Sequence, residues 1–184
     1  MNSAANSAGE CAPTSVQNTD QSERTLSTEF ISFAIGDEQY GVDIMAVREI
    51  KGWSSVTHLP NQPDYVRGVL NLRGVMVPII DLRCRFGQGV TETTPMHVVI
   101  IVQIDGQQVG LLADRVLDIV SFEPSQVQPV PRIANCARVN FLAGLITIDS
   151  TMLALVDLPN LLSVQIEVGE LALPEQKTAA AQQG

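Results

Sequence analysis

The chain has 184 residues, of which 45% are hydrophobic and only 4% aromatic, and its formal net charge at pH 7 is −9. This length allows one good core or two small cores that share an interface, built mainly from Val, Ile and Leu. The excess of acidic residues argues against nucleic acid or anionic lipid as the main partner, because binding to either depends on clustered Lys and Arg.

Residues 1–28 are rich in Ser, Asn, Gln, Ala and Thr and show no hydrophobic periodicity. The first residues, MNSAANSAGE, contain neither the basic region nor the apolar region of a secretory signal, so none is expected. We predict disordered tails at 1–28 and 170–184, because such sequences bury too little apolar surface to offset the entropy of ordering. The apolar runs elsewhere are far shorter than a membrane span, so we expect a soluble, cytoplasmic protein.

Between the tails, short apolar runs alternate with turn residues. The segment Phe30–Ile44 predicts a β-hairpin whose turn lies at Gly36–Gln39. The segment Gly68–Ile80 predicts a second hairpin with Gly74 in its turn.

The same segments occur twice along the chain. Phe30–Ile50 matches Val99–Ile119, and Tyr65–Leu82 matches Phe141–Leu158. The matched positions are Gly41 with Gly110, Gly68 with Gly144, Met76 with Met152, and Asp81-Leu82 with Asp157-Leu158. Two blocks in the same order and at a nearly constant offset favour a tandem duplication over the general similarity of all hairpins.

Each copy has four or five strands, too few for an open sandwich. A sheet this small buries its apolar face best by closing into a barrel, which also removes the sheet edges. We therefore predict a mainly β fold of two small barrels packed side by side, with a groove between them. The folded region spans about 29–169, with a first barrel at about 36–96 and a second at about 97–160, and exchange of strands at the junction is left open.

The duplication suggests one catalytic arrangement, a carboxylate pair formed by Asp81 and Asp157. Their contexts, IIDLR and LVDLP, lack the Thr-Gly that orients the dyad of an aspartic protease. Each Asp ends an apolar run and precedes a leucine-containing segment. We therefore predict that both are N-caps of short helices.

Other groups with catalytic potential are isolated in the sequence. His58 and His97 have no acid or nucleophile nearby, and Cys84, between Arg83 and Arg85, is predicted to be a buried structural thiol. The cysteines form no C-x-x-C pair, and no metal or nucleotide motif occurs. We predict a non-catalytic protein without cofactor or metal that binds other proteins; an enzyme or small-ligand binder that uses the groove is the alternative.

The two copies differ at the turn of the second hairpin, where Arg73 corresponds to Asp149. An acid is kept at another equivalent site, Glu49 and Asp118. Composition alone favours a solvated, unimportant Arg73. The sharper hypothesis is that Arg73 pairs with Glu49 and forms part of a recognition surface.

Three stretches carry a resemblance to a known family: GDEQYGVDIMAVREIKGW, PDYVRGVLNLRGVMVPIIDLRCRFG and GLLADRVLDIV. They closely resemble the chemotaxis coupling proteins of the CheW family, and the turn Asn71–Gly74 followed by P-I-I-D-L-R is the most specific part. The resemblance implies two SH3-like five-stranded barrels. It also implies an adaptor that joins the cytoplasmic tips of chemoreceptors to the regulatory domain of the histidine kinase CheA in membrane-associated arrays.

The resemblance also assigns binding residues. It places Val47, Glu49, Arg73, Val116 and Ile119 in a receptor-facing groove, and Ile50, Thr57 and Gly68 in a kinase-facing patch. The apolar groove residues suit the apolar face of a receptor helix. An adaptor of the same fold that serves a non-chemotactic kinase array is the remaining alternative.

Overall fold

The strands and helices follow one another in the same order twice along the chain, as the repeat predicts. The structure is a computed structural model that describes residues 27–131, 137–148 and 150–163, so almost all of both predicted tails lies outside the described residues. The elements are β1 Thr28–Ile35, β2 Glu38–Asp43, β3 Val47–Gly52, β4 Val66–Leu72, β5 Val75–Asp81, α1 Leu82–Arg85, β6 Val98–Ile104, β7 Gln107–Ala113, β8 Arg115–Phe122, β9 Leu142–Ile148, β10 Thr151–Val156 and α2 Leu158–Leu162.

The strands form two five-stranded sheets, with the orders β3-β6-β7-β5-β4 (barrel A) and β8-β1-β2-β10-β9 (barrel B). Each barrel combines three strands of one copy with the first hairpin of the other copy. Neither barrel is therefore a continuous stretch such as 36–96 or 97–160. A physical reason lies in the links: only Asp114 separates β7 from β8, which is too short for a hairpin reversal, so the chain passes directly into the other sheet.

Each sheet is closed by a short segment that pairs with its last strand. In barrel A, the Thr57 N–H donates to the Val69 carbonyl at 2.9 Å, and the Val69 N–H donates back at 2.8 Å. In barrel B, Gln128 and Leu145 exchange the same two bonds, at 2.8 and 2.9 Å. The predicted class, two SH3-like five-stranded barrels, is confirmed.

The core has three parts: one cluster inside each barrel and one cluster between the barrels. They are separate because alternate residues of a strand face opposite sides of its sheet. In β6, Val99 and Ile101 point into barrel A, whereas Ile100 and Val102 pack between the two barrels. The cluster between the barrels is the largest and contains Ile31, Phe33, Ile35, Tyr40, Val42, Ile80, Leu82, Phe86, Ile100, Val102, Val109, Leu111, Ala113, Phe141, Val156, Leu158 and Leu161. The middle of the predicted groove is therefore a packed core, and a binding surface must lie at its margin.

The repeated glycine of the first hairpin is explained by the narrow interior of each barrel. A Cβ on Gly110 would lie 2.4 Å from Ile79 Cδ1, and a Cβ on Gly41 would lie 3.2 Å from Leu153 Cδ2. Both contacts are closer than side chains normally approach. The same packing constraint at equivalent positions accounts for the same residue in both copies.

Candidate protein-binding site

Arg73 and Glu49 meet at one end of barrel A. Arg73 Nη2 lies 3.5 Å from Glu49 Oε2, and the two side chains are 91% and 37% exposed. Arg73 occupies the two-residue turn between β4 and β5 with a φ of 50°, followed by Gly74 at 91°. The predicted pairing of Arg73 with Glu49 is confirmed, whereas Asp149, the predicted counterpart of Arg73, lies outside the described residues.

A β-bulge in β3 sets the direction of Glu49. The register shifts between Val47, which is opposite Val102, and Glu49, which is opposite Ile101. Because Val102 packs between the barrels and Ile101 packs inside barrel A, the two β3 side chains diverge in the same way. An open pocket of about 260 Å³ at this end of barrel A is lined by Arg48, Glu49, Leu72, Arg73, Val75, Ile101 and Gln108.

The second copy has a bulge at the equivalent place in β8. Val116 is opposite Phe33 and Ile119 is opposite Ile31, with the shift between them. Val116 packs against the inter-barrel core, as Val47 does, and Ile119, three residues further along β8, is 55% exposed. The structure therefore brings Arg73 and Glu49 together at the end of barrel A, while Val47 and Val116 each pack against the inter-barrel core and Ile119 is exposed opposite Ile31.

The acid of the second bulge has a different environment from Glu49. The buried Ser32 hydroxyl donates to the Asp118 carbonyl at 2.8 Å and accepts from the Asp118 N–H at 3.0 Å. The Asp118 carboxylate accepts the N–H of Ile119 at 2.7 Å. In the second copy, Ser32 therefore holds the backbone of the bulge at Asp118. In the first copy, the acid Glu49 is paired with Arg73 instead.

The three predicted kinase-facing residues differ in what they expose. Ile50 and Thr57 are exposed, and Gly68 is buried with a φ of 135°. A Cβ on Gly68 would lie 2.3 Å from the Thr57 carbonyl oxygen. Gly68 therefore presents no side chain to a partner. Its structural role is to let the segment that contains Thr57 approach β4 closely.

Asp81 and Asp157 are helix caps, as predicted. Asp81 is fully buried, and its carboxylate accepts the Cys84 N–H at 3.2 Å, the Thr91 N–H at 2.8 Å and the Thr91 hydroxyl at 2.6 Å. Asp157 accepts the N–H and the side-chain amide of Asn160 at 3.0 and 2.7 Å. Each carboxylate serves its own helix, so the two do not form an aspartic dyad.

A polar cluster around Asp114 was missed by the sequence analysis. Asp114 Oδ2 accepts the Gly36 N–H at 2.7 Å and Arg83 Nη2 at 2.5 Å, and Oδ1 lies 3.5 Å from His97 Nε2. His97 has no acid near it along the sequence, and the fold brings Asp114 to it in space. Burial alone would raise the pKa of Asp114, but the bonds from Gly36 and Arg83 and the charges of Arg83 and His97 hold the pKa below its ordinary value.

Cys84 does not have the environment of a reactive thiol. Burial and the nearby carboxylates of Asp81 and Asp64 raise its pKa, against a smaller opposing effect of Arg67. The neighbouring arginines Arg83 and Arg85 therefore do not activate it. A neutral thiol agrees with the predicted structural role, but the prediction that Cys84 is buried is wrong, because the residue is only half-buried.

An open pocket of about 510 Å³ lies along β2, β9 and β10 of barrel B. It is lined by Asp37, Glu38, Gln39, Tyr40, Leu142, Leu145, Ser150, Thr151, Met152 and Ala154, which include none of the predicted binding residues. Asp37 and Glu38 are exposed, and the Tyr40 hydroxyl donates to Glu38 Oε2 at 2.7 Å. Within the described ranges, no group of three or more His, Cys, Asp or Glu side chains is placed to hold a metal ion.

Known proteins of similar sequence and structure share this architecture. Residues 29–165 match the CheW-like domain family. The chain is 44% identical over 130 residues to the chemotaxis protein CheW of Rhizobium meliloti, covering 71% of this chain and 84% of that protein. It is 42% identical over 139 residues to the chemotaxis protein CheW of Klebsiella aerogenes, covering 76% and 84%.

A solved structure gives the same result for the fold. The scaffolding protein TtCheW of Thermoanaerobacter tengcongensis superposes with a TM-score of 0.66 at 32% identity, covering 71% of this chain and 84% of that chain. Sequence and structure therefore agree on the family over most of the described region. The chain belongs to the CheW family of chemotaxis scaffold proteins, which are not enzymes.

Proposed function

We propose that this protein is a cytoplasmic adaptor that couples chemoreceptors to the histidine kinase CheA in signalling arrays. Its membership in the CheW family supports the adaptor role. The observation that carries the receptor-binding part is the exposed pair of Arg73 and Glu49 at the end of barrel A. In the described part of the chain, no helix is long and apolar enough to cross a membrane, and we propose that receptors recruit the protein to the membrane.

The Arg73–Glu49 pair has the properties of a binding element rather than of a stabilising contact. An exposed ion pair contributes little to folding, about 0–1 kcal/mol. At 91% exposure and with one contact at 3.5 Å, the Arg73 guanidinium keeps most of its donors available. A partner that supplies a carboxylate or backbone carbonyl can therefore bind it without first breaking a strong internal bond.

The apolar residues beside the pair suit a helical partner. Val47 and Val116 pack against the inter-barrel core, and Ile119 is exposed on the same strand as Val116. An amphipathic helix from the receptor tip would place its apolar face on these three residues. Its polar edge would then reach the charged pair through β3, which carries both Val47 and Glu49.

The kinase would bind at the closure of barrel A. Thr57 is exposed there, Gly68 allows the Thr57 segment to approach β4, and Ile50 is exposed on the preceding strand β3. The family resemblance implies that the regulatory domain of the kinase has the same fold as this protein. We therefore propose a contact between two similar barrels, separate from the receptor contact.

The proposal is tested by measuring both interactions for one variant. We expect Arg73→Ala to weaken binding to a receptor-tip fragment while leaving the melting temperature and kinase binding unchanged. Asp105→Ala, in an exposed turn of the same barrel with a similar φ, is the matched control. A melting temperature that collapses in Arg73→Ala would show that Arg73 is structural instead.

The kinase contact is tested by a pull-down with full-length kinase and with kinase lacking its last regulatory domain. We expect binding only to the full-length form. Equal recovery of both forms would place the contact elsewhere on the kinase. Recovery of neither form would reject the kinase as a direct partner.

A further inference from the structure

The turn that carries Arg73 departs from the usual choice of residues. Arg73 and Gly74 have φ values of 50° and 91°, which define a two-residue turn with both central residues in the left-handed region. Such turns favour Asn, Asp or Gly at the first position. The other hairpin of the same barrel follows this preference, with Asp105 at 49° and Gly106 at 81°.

An arginine at this position is costly for the backbone. Residues other than Gly, Asn and Asp are disfavoured in the left-handed region, because their Cβ atom crowds the backbone. The Glu49 contact cannot offset this cost, since it is long and highly exposed. Another contact must therefore help to hold the turn.

Asn71 supplies that contact. Its Oδ1 accepts the N–H of Gly74 at 2.8 Å, across the turn. Asn71 lies on β4 opposite Met76, so the bond starts from a paired strand position and ends on the peptide that directly follows Arg73. The bond restrains the Arg73–Gly74 peptide and, through it, the direction in which the Arg73 side chain leaves the turn.

We propose that Asn71 is a positioning residue for partner binding, which holds the turn so that Arg73 is presented beside Glu49. This inference rests on the proposed function, because it assumes that Arg73 contacts the receptor. Asn71 itself is not assigned a contact with the partner. Its effect on binding is exerted through Arg73.

The experiment compares variants of the full chain for binding to a soluble coiled-coil protein that carries a chemoreceptor tip. We expect Asn71→Ala to weaken binding about fivefold, the effect of one net hydrogen bond. Asn71→Asp should bind within about twofold of the wild type, because a carboxylate accepts the same bond. Asp105→Ala should bind like the wild type, since it changes a turn of the same geometry that does not carry Arg73.

A double variant separates positioning from general stabilisation. If Asn71 acts through Arg73, Asn71→Ala adds no further loss in an Arg73→Ala background. Additive losses, or an equal loss of kinase binding in Asn71→Ala, would overturn the inference. Wild-type binding by Asn71→Ala together with weak binding by Arg73→Ala would reject the inference alone. Wild-type binding by Arg73→Ala would reject the receptor site of the proposed function as well.

Discussion

Arg85 donates from Nη2 to the carbonyl oxygen of Leu161 at 3.4 Å, and the two residues occupy equivalent positions after the repeated caps Asp81 and Asp157. The short helices of the two copies therefore meet each other. The Arg85 guanidinium also lies 4.3 Å from the ring centre of Tyr65 and 4.4 Å from that of Phe141. These two rings are themselves repeat-equivalent, so one arginine joins the copies at their shared boundary.

The first prediction concerns this contact. Arg85→Ala removes two cation–π contacts and leaves a gap between the rings, and we expect it to lower the free energy of unfolding by roughly 2 kcal/mol. Arg85→Met should cost less than half as much, because it keeps the aliphatic packing and removes Nε, which is buried without a partner among the described residues. Urea denaturation measures both. Equal losses for Ala and Met would show that the charge, and not the packing, is what matters.

The second prediction compares the two caps. Asp81→Ala should destabilise the protein by roughly 3–5 kcal/mol, because it leaves the donors of Cys84 and Thr91 unsatisfied in a buried site. Asp157→Ala, at a cap that is partly accessible to water, should cost about 1 kcal/mol. Thermal unfolding followed by circular dichroism gives the comparison. Similar losses for the two variants would contradict the assigned difference in burial.

The third prediction concerns the closure of barrel A. Gly68→Ala should cost roughly 2–4 kcal/mol, because the φ of 135° disfavours a side chain and the new Cβ would meet the Thr57 carbonyl at 2.3 Å. Gly52→Ala is the control, because a Cβ there meets no atom within 4 Å and φ is not positive. Chemical denaturation measures both, and kinase binding is tested on the folded fraction. Unchanged stability in Gly68→Ala would mean that the barrel closes differently from the structure.

The sequence allowed the fold class to be predicted, but not which hairpin joins which barrel. The repeated glycines and Asp-Leu stops mark the strand order in each copy. These local patterns are the same whether the hairpin β1–β2 completes its own barrel or the other one. The length of a link carried the missing signal: one residue, Asp114, between β7 and β8 makes a hairpin reversal impossible.

The candidate site was predicted where its signal is local and missed where it is not. Arg73 was identified because it lies in a distinctive turn, and its pairing with Glu49 was one of two interpretations that composition left open. The bulge that aims Glu49 has no sequence signature, since it depends on the register with β6. The partners of Asp114 were also missed, because Gly36, Arg83 and His97 come together only when the two copies exchange hairpins.

The fourth prediction concerns the pH dependence that the Asp114 cluster confers. Its carboxylate is held by Gly36, Arg83 and His97, and its pKa is lower in the folded state than the ordinary value of about 3.9. A carboxyl with a depressed pKa stabilises the fold above its unfolded pKa, and this contribution is lost as the pH falls through the folded pKa. Asp114→Asn should therefore destabilise the protein by roughly 1–2 kcal/mol at pH 7, and the difference from the wild type should shrink below about pH 4.

Denaturation of wild type and Asp114→Asn over a series from pH 7 to pH 3 measures this difference. Asp105→Asn, the same substitution in an exposed turn, is the control and should change stability by less than about 0.5 kcal/mol at pH 7. A difference between wild type and Asp114→Asn that stays constant down to pH 3 would show that the amide disrupts packing rather than removing a charge. A difference that grows as the pH falls below about 4 would require a raised pKa of Asp114. The contacts with Gly36 and Arg83 produce the opposite.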